Sequence, residues 1–232
     1  MPQRAISSAA SPAATRQRRK EARPQELLDA ALDLFVAKGF AATRCEEVAS
    51  RAGVSKGTLY LYYPSKEELL KEVIRRNVVN QIAEGIEIVR AFEGSSSELL
   101  GNVLRLWWER VGETRASGIL KLMMSEVRNF PEIAQFWIDE VTSPADRMVA
   151  EIVQRGIDSG EFRPVHVGDV VHALISPLLF LVMNKHSLGA CLPSAKLDPK
   201  AIIEAQIDLI LNGLHAPPIA KPAKKTKGPG RQ

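Results

Sequence analysis

Apolar residues in this chain recur at i, i+3, i+4 and i+7 over most of its length and almost nowhere alternate one by one. The first spacing lines one face of a helix and the second one face of a strand, so the pattern points to an all-α fold. Leu27, Leu28, Ala31, Leu34 and Phe35 mark a first helix that Gly39 stops, since glycine readily takes the left-handed turn that closes helices. Thr43 to Glu46 and Ser65 to Glu68 fit the S/T-x-x-E capping box, in which two side chains satisfy orphan backbone donors, and predict helix starts near 44 and 66. Ser95 to Glu98 repeats the pattern after a Gly-Ser loop. Further helices are predicted over 98–113 and 115–127, and from Pro131 to about Ser159 with a kink or break at Pro144. Residues 166–187 are apolar enough to be buried on most sides, and Asp198-Pro199 opens a last helix ending near Gly213. The count is about nine helices, with the fourth running over 66–91.

Composition adds limits. With 45% apolar and 25% charged residues, the chain reads as a soluble globular protein. The longest unbroken apolar run, Leu178 to Met183, is far short of the ~20 residues a membrane span needs. The N-terminus has no apolar core of a signal peptide. Cys45 and Cys191 make neither a disulfide framework nor a metal cluster. A cytoplasmic protein with no membrane partner is expected. The net charge of +4 is unevenly spread: residues 1–23 carry six basic and one acidic side chain, 215–232 five basic and none acidic, and 72–214 fourteen basic against nineteen acidic. Basic ends around an acidic body suit a polyanion, or else merely aid solubility. The expected division is a disordered basic arm (1–20), a small helical unit (21–70), a larger helical body (71–214) and a disordered basic tail (215–232).

Residues 43–63 are the most informative stretch. A helix carrying Val48, Ala49 and Ala52 is followed by Gly53, which supplies the positive φ of a tight turn, and by Val54, which plugs the angle between helices. Ser55 then caps a short helix with Lys56, Gly57, Thr58, Leu59 and Tyr60. Helix, glycine turn and short helix make a helix-turn-helix, whose second helix enters the DNA major groove N-terminus first. Ser55 and Thr58 suit phosphate oxygens, Gly57 removes bulk where backbone nears a groove wall, and Lys56 is a long donor for a guanine edge. All three tyrosines, Tyr60, Tyr62 and Tyr63, fall within four positions. Tyr63 is expected in the small core, and Tyr60 and Tyr62 on phosphates.

The runs A-L-D-L-F-V-A-K-G-F-A-A-T and V-A-S-R-A-G-V-S-K-G-T-L-Y-L-Y-Y-P-S-K-E-E-L-L, between Arg23 and Arg76, resemble the DNA-binding domain of the TetR family of bacterial transcriptional regulators. The resemblance implies a homodimer on a double-stranded DNA operator, each subunit joining an N-terminal helix-turn-helix to a C-terminal helical domain that dimerises and binds a small effector. By position, Ser55, Lys56, Gly57, Thr58, Tyr60 and Tyr62 fall where the family touches DNA, and Lys66 where it meets phosphate. Arg44 departs from the small hydroxyl residue usual there: either Thr43 takes the capping role or Arg44 adds a phosphate contact, with both together favoured, and Thr43 and Arg44 are counted at the DNA face. A palindromic operator, repression, and release by the effector are likewise implied.

The body holds Trp107, Trp108, Met123, Met124, Phe130, Phe136, Trp137, Phe180 and Met183 in its middle helices. Side chains of this kind build a core, and a subset can line a pocket for an apolar or aromatic guest. Val171, Leu174, Leu178 and Leu181 with Ile203, Ile207 and Ile210 are the candidates for a four-helix dimer interface, the alternative being internal core. The histidines lack metal-ligand spacing, and no nucleophile motif or phosphate-cradling glycine loop occurs, so neither metal, cofactor nor catalysis is expected. The competing reading is a sequence-indifferent DNA binder acting through its basic arms.

Overall fold

The structure, a computed structural model, describes the backbone of residues 12–215 and the side chains of 23–215. Residues 1–11 and 216–232, with the outer part of the expected arm and nearly all of the expected tail, lie outside the described residues. Nine helices, one extra α-helical turn and two 3-10 turns (Val127–Asn129 and Pro193–Ala195) make up the described chain, with no strand among them. They are α1 (Pro12–Lys38), α2 (Cys45–Arg51), α3 (Lys56–Tyr62), α4 (66–91), α5 (96–112), α6 (Ser117–Glu126), α7 (131–158), α8 (Val167–Lys185) and α9 (Pro199–His215). The extra turn is Leu188–Cys191.

Helix α1 starts at Pro12, so residues 12–20 are helical where a disordered arm is expected from sequence. Proline suits the first helical position, and the Ala, Gln, Arg, Lys and Glu that follow are good helix formers. Ser65 and Ser95 cap α4 and α5, each accepting from the backbone N–H three residues on at 3.1 Å. The helices α4, α5 and α7 each contain one π-helical turn, at Arg75–Val79, Trp108–Gly112 and Ile138–Thr142. The last lies just before Pro144, so the wider turn accommodates the missing proline N–H, and α7 continues where a break was possible.

Helix α1 packs on α2, α4 and α6, and thereby joins the small unit to the body. A Cβ at Gly118 would stand 2.5 Å from Val36 Cγ1, so a glycine there lets α6 lie directly on α1. Next to it, Ala41 N donates to Glu126 Oε2 at 3.1 Å, and Phe40 stands edge-on to Phe130 at 4.7 Å. Asp33 of α1 pairs with Arg51 of α2 at 2.9 Å and with Arg115, before α6, at 2.5 Å. Arg75 of α4 grips Glu140 of α7 through two hydrogen bonds of 3.0 and 2.8 Å. The buried apolar residues form one continuous cluster through both units.

Candidate nucleic-acid interface

The short helix α3 packs on α2 and buries a single residue, Leu59. Gly53 turns the chain between α2 and α3 at φ 66°, a conformation only glycine takes cheaply. Ser55 caps α3: its Oγ accepts from Thr58 N at 3.1 Å and lies 2.9 Å from Thr58 Oγ1. With Leu59 pointing inward, Ser55, Lys56, Gly57 and Tyr60 are exposed together. A Cβ on Gly57 would meet only Ser55 Oγ at 3.8 Å, so this side of the turn is open to an approaching surface. Lys56 Nζ lies 2.5 Å from Glu46 of α2 and 5.8 Å from the Tyr60 ring centre. The hydrogen bond from Lys56 holds the Glu46 carboxyl below its usual pKa, and the same bond raises the Lys56 ammonium.

Other residues expected at this face have different surroundings. Thr43 is 1% exposed, and its hydroxyl donates toward the carbonyls of Leu34 and Gly39 at 3.2 and 2.7 Å. It therefore closes the carboxyl end of α1 and is out of reach of DNA. The N-cap of α2 is Arg44, whose N–H donates to Glu47 Oε2 at 3.3 Å; the box is shifted one residue from Thr43–Glu46, and arginine, lacking an acceptor, fills only half of it. Lys66 Nζ donates to the carbonyls of Phe40, Thr43 and Ala41 at 2.8, 3.1 and 3.4 Å and lies 4.4 Å from the Phe40 ring centre. Its charge holds the loop before α2. Tyr63 is buried, donates to Pro24 O at 3.3 Å, and burial pushes its phenol up to about 12. Tyr62 is half-buried, with its ring 6.5 Å from that of Tyr63.

Two residues at the face escape sequence reasoning. Leu61 is 85% exposed, one helical turn beyond Gly57. The inward Leu59 two positions earlier is the signal that points Leu61 outward. Glu46 carries no such signal, because its nearness to Lys56 depends on the angle between two helices.

Helices α8 and α9 pack on each other, and α8 packs also on α5, α6 and α7. Val171, Leu174, Leu178, Leu181, Ile203 and Ile207 are buried within the single chain, and Ile210 is half-buried. The six buried ones are core within the single chain, which favours the internal-core alternative for them. Gln206 is buried with them and donates to Leu174 O at 2.7 Å and Ala173 O at 3.4 Å; the latter carbonyl lacks its helical partner because residue 177 is proline. The opposite sides of the two helices expose Ala173, Ser176 and Phe180 on α8 and Ala201, Ala205 and Leu209 on α9, with Phe180 63% and Leu209 71% accessible. The stretch Val167–Cys191 has the length and mean hydropathy, 1.7, of a membrane span, with 28% of the window buried. The unbroken run Leu178–Met183 understates this, since single polar residues interrupt an apolar helix on both sides.

Between α4, α5, α7 and α8 lies a cavity of about 150 Å³. Its walls include Val78 and Ile82, Val103 and Trp107, Trp137, Val141 and Met148, and Ile175 and Leu178, with Thr142 and Asp146 as its polar groups. A smaller space shares Val78, Ile82, Val103, Trp107, Ala145 and Met148 and leads to Gln81 and Arg110. Gln81 Oε1 is buried without a hydrogen-bond partner, and Arg110 pairs with Glu84 at 2.6 Å. All three π turns contribute residues here: Val78, Val111, and Val141 with Thr142.

Of the nine large side chains expected at a pocket, Trp107 and Trp137 line this one. Trp108 is buried on another side of α5, beside Lys185 and Leu197. Met123 is core, whereas Met124 and Phe180 face outward. Phe130 packs on Phe40, Phe136 lies 4.9 Å from the Arg75 guanidinium, and Met183 is half-buried outside the lining. The aliphatic wall residues have the same periodicity as any core residue, so sequence does not single them out.

A family model described as bacterial regulatory proteins, tetR family, matches residues 27–73, and one described as tetracyclin repressor-like, C-terminal domain, matches residues 93–189. The HTH-type transcriptional repressor KstR2 of Mycolicibacterium smegmatis is 24% identical over 193 residues, covering 83% of this chain and 90% of that protein. The fatty acid metabolism regulator protein of Bacillus subtilis is 23% identical over 198 residues, covering 84% and 98%. The fold is also that of the transcriptional regulator FadR from Bacillus subtilis in complex with stearoyl-CoA, with a TM-score of 0.66, 22% identity, and coverage of 82% of this chain and 99% of that one. With both halves matched in order, and with a solvent-facing second helix in its helix-turn-helix, this chain belongs to the TetR family and is a sequence-specific DNA-binding regulator of transcription.

Proposed function

We propose that the protein is a homodimeric repressor whose paired α3 helices occupy successive major grooves of a palindromic operator, and that a small apolar effector releases it. The observation that carries this reading is the exposed leading turn of α3, where Lys56 and Tyr60 stand over the buried Leu59. In this reading Lys56 and Leu61 meet base edges, the lysine a guanine and the leucine a thymine methyl, while Arg44, Ser55, Thr58, Tyr60 and Tyr62 meet phosphates and Gly57 admits the groove wall. Residues 21–70 form the reading unit, with the helix of residues 12–20 leading into it, and 71–214 the regulatory one. The exposed row on α8 and α9 joins two copies about a two-fold axis, which buries the apolar outer side of α8. Regulation rather than catalysis is the role, exercised in the cytoplasm where the DNA is.

The effector reading rests on the cavity. Its walls are almost wholly apolar, and 150 Å³ is about the size of a void that holds one benzene ring. A longer acyl chain or a fused-ring guest fits only if the helices around it move apart. Such a guest prefers the widened state, and that differential affinity is what a ligand needs to shift an equilibrium. Relatives whose names concern fatty acid metabolism, and a neighbouring structure holding stearoyl-CoA, support an acyl-type guest.

Selection of bound duplexes from a random pool tests the reading, alongside sedimentation of the free protein. A two-fold symmetric consensus and twice 25.5 kDa are expected. Binding that survives Lys56→Ala and Tyr60→Ala, yet is lost on removing residues 1–23 and 215–232, would transfer the role to the basic ends.

A further inference from the structure

We infer that Glu46 is a specificity-determining residue, which holds Lys56 away from phosphates so that the lysine is released only against a matching base edge. The inference rests on the reading of α3 as the helix that enters the major groove. Glu46 lies on the first turn of α2 and Lys56 on the first turn of α3, and both are exposed. An acidic side chain at a surface meant for a polyanion works against affinity, so its presence there calls for a positive account. The geometry supplies one. The carboxylate oxygen is 2.5 Å from Lys56 Nζ, and the Tyr60 ring flanks the same ammonium, so the lysine is tethered between two groups above the face.

A free lysine on this turn would take whichever phosphate came nearest, and phosphate contacts carry no sequence information. A tethered one must exchange Glu46 for a new acceptor. A guanine presents two acceptors, O6 and N7, at fixed positions in the groove, whereas a single phosphate oxygen offers little more than the carboxylate it replaces. Glu46 in addition repels phosphate. Of the other cations nearby, Lys38 is bonded to Glu47 at 2.7 Å and Arg51 to Asp33 at 2.9 Å, while Arg44 acts on Glu46 through its charge alone. Lys56 is thus the cation that Glu46 restrains.

The test measures binding of the full-length protein to its selected operator and to a random duplex over a range of salt. In Glu46→Gln, random-duplex affinity rises, its log–log salt slope steepens by about 1.8 as one more phosphate is engaged per subunit of the dimer, and the operator-to-random ratio falls up to about 25-fold, fivefold per subunit being the upper range for an exposed pair. In a Lys56→Met background the same change leaves the slope alone. An unchanged ratio and slope in Glu46→Gln, or an equal steepening in the Lys56→Met background, overturns the inference, the latter by making Glu46 a mere repulsive charge. If the wild-type chain selects no common sequence at all, the reading of α3 fails instead, and the two failures are distinct.

Discussion

Leu209→Ser separates the two faces of α9. Leu209 is 71% exposed in the single chain and Ile207, two residues earlier, only 7%. Burying most of a leucine is worth about 1–2 kcal/mol, and a two-fold interface counts each residue twice. Leu209→Ser therefore removes about 2–4 kcal/mol from dimerisation, which raises Kd roughly 30- to 1000-fold. The subunit itself loses only about 0.5 kcal/mol, as expected for a surface change. Ile207→Ala does the reverse: it opens a void in the α8–α9 core and costs about 2–5 kcal/mol of folding stability. Sedimentation equilibrium from nanomolar to micromolar protein gives the dimer constant, and urea unfolding gives the stability. A dimer constant untouched by Leu209→Ser would refute the outward row as the contact. It would also leave the apolar outer side of α8 without a partner.

Three further outcomes are expected. Tyr63→Phe should abolish the phenol that ionises near 12, read as the late step of an ultraviolet titration. Because the folded pKa is raised above the unfolded value of about 10, the wild type keeps this contribution below pH 10 and loses it between 10 and 12, a loss the variant should lack. Ala145→Trp, which fills the space shared by both parts of the cavity, should abolish thermal stabilisation by acyl ligands while operator binding persists; a normal ligand shift would place the guest elsewhere. Thr43→Val should lower stability by about 1–3 kcal/mol, since two helix-end carbonyls lose a donor, with operator affinity unchanged once the protein is folded. A specific loss of affinity would return Thr43 to the DNA face.

Helix boundaries were legible wherever their chemistry is local. Ser65 and Ser95 bond to amides three residues away, so a four-residue pattern contains the whole interaction. Thr43 shows where that logic ends. The same pattern is present, but the nearest unsatisfied groups are the carbonyls at the end of α1, and the hydroxyl turns to them. Lys66 follows suit, its position known from sequence and its partners supplied by the loop before α2. Periodicity identifies α8 as a helix but is silent on which apolar side meets its own chain, because Leu174 and Phe180 are equally apolar and only tertiary packing buries the first and exposes the second. The cavity is less legible still. Its walls come from four helices distant in sequence, and large aromatics such as Phe130 and Phe136 are used instead where α4 and α7 meet the reading unit.

The links between cavity and reading unit are few and of unlike kind. Helix α4 is continuous from Lys66, within the reading unit, to Val78 and Ile82 in the cavity wall, so displacement of that wall reaches the reading unit through a single rod. Its π turn, at Arg75–Val79, lies between the two, and there Arg75 holds Glu140 of α7 while Val78 faces the cavity. The second link is α1, closed on α6 at Gly118 and tied by Asp33 to both Arg51 and Arg115. Packing as close as Val36 on Gly118 does not stretch, whereas exposed ion pairs exchange for water at about 0–1 kcal/mol each. A guest that widens the cavity is therefore expected to pivot the reading unit about the α1–α6 contact, breaking pairs rather than packing. In a dimer the two pivots are related by the two-fold axis, so a small rotation in each subunit changes the separation of the α3 helices twice over, and spacing is what a palindrome reads.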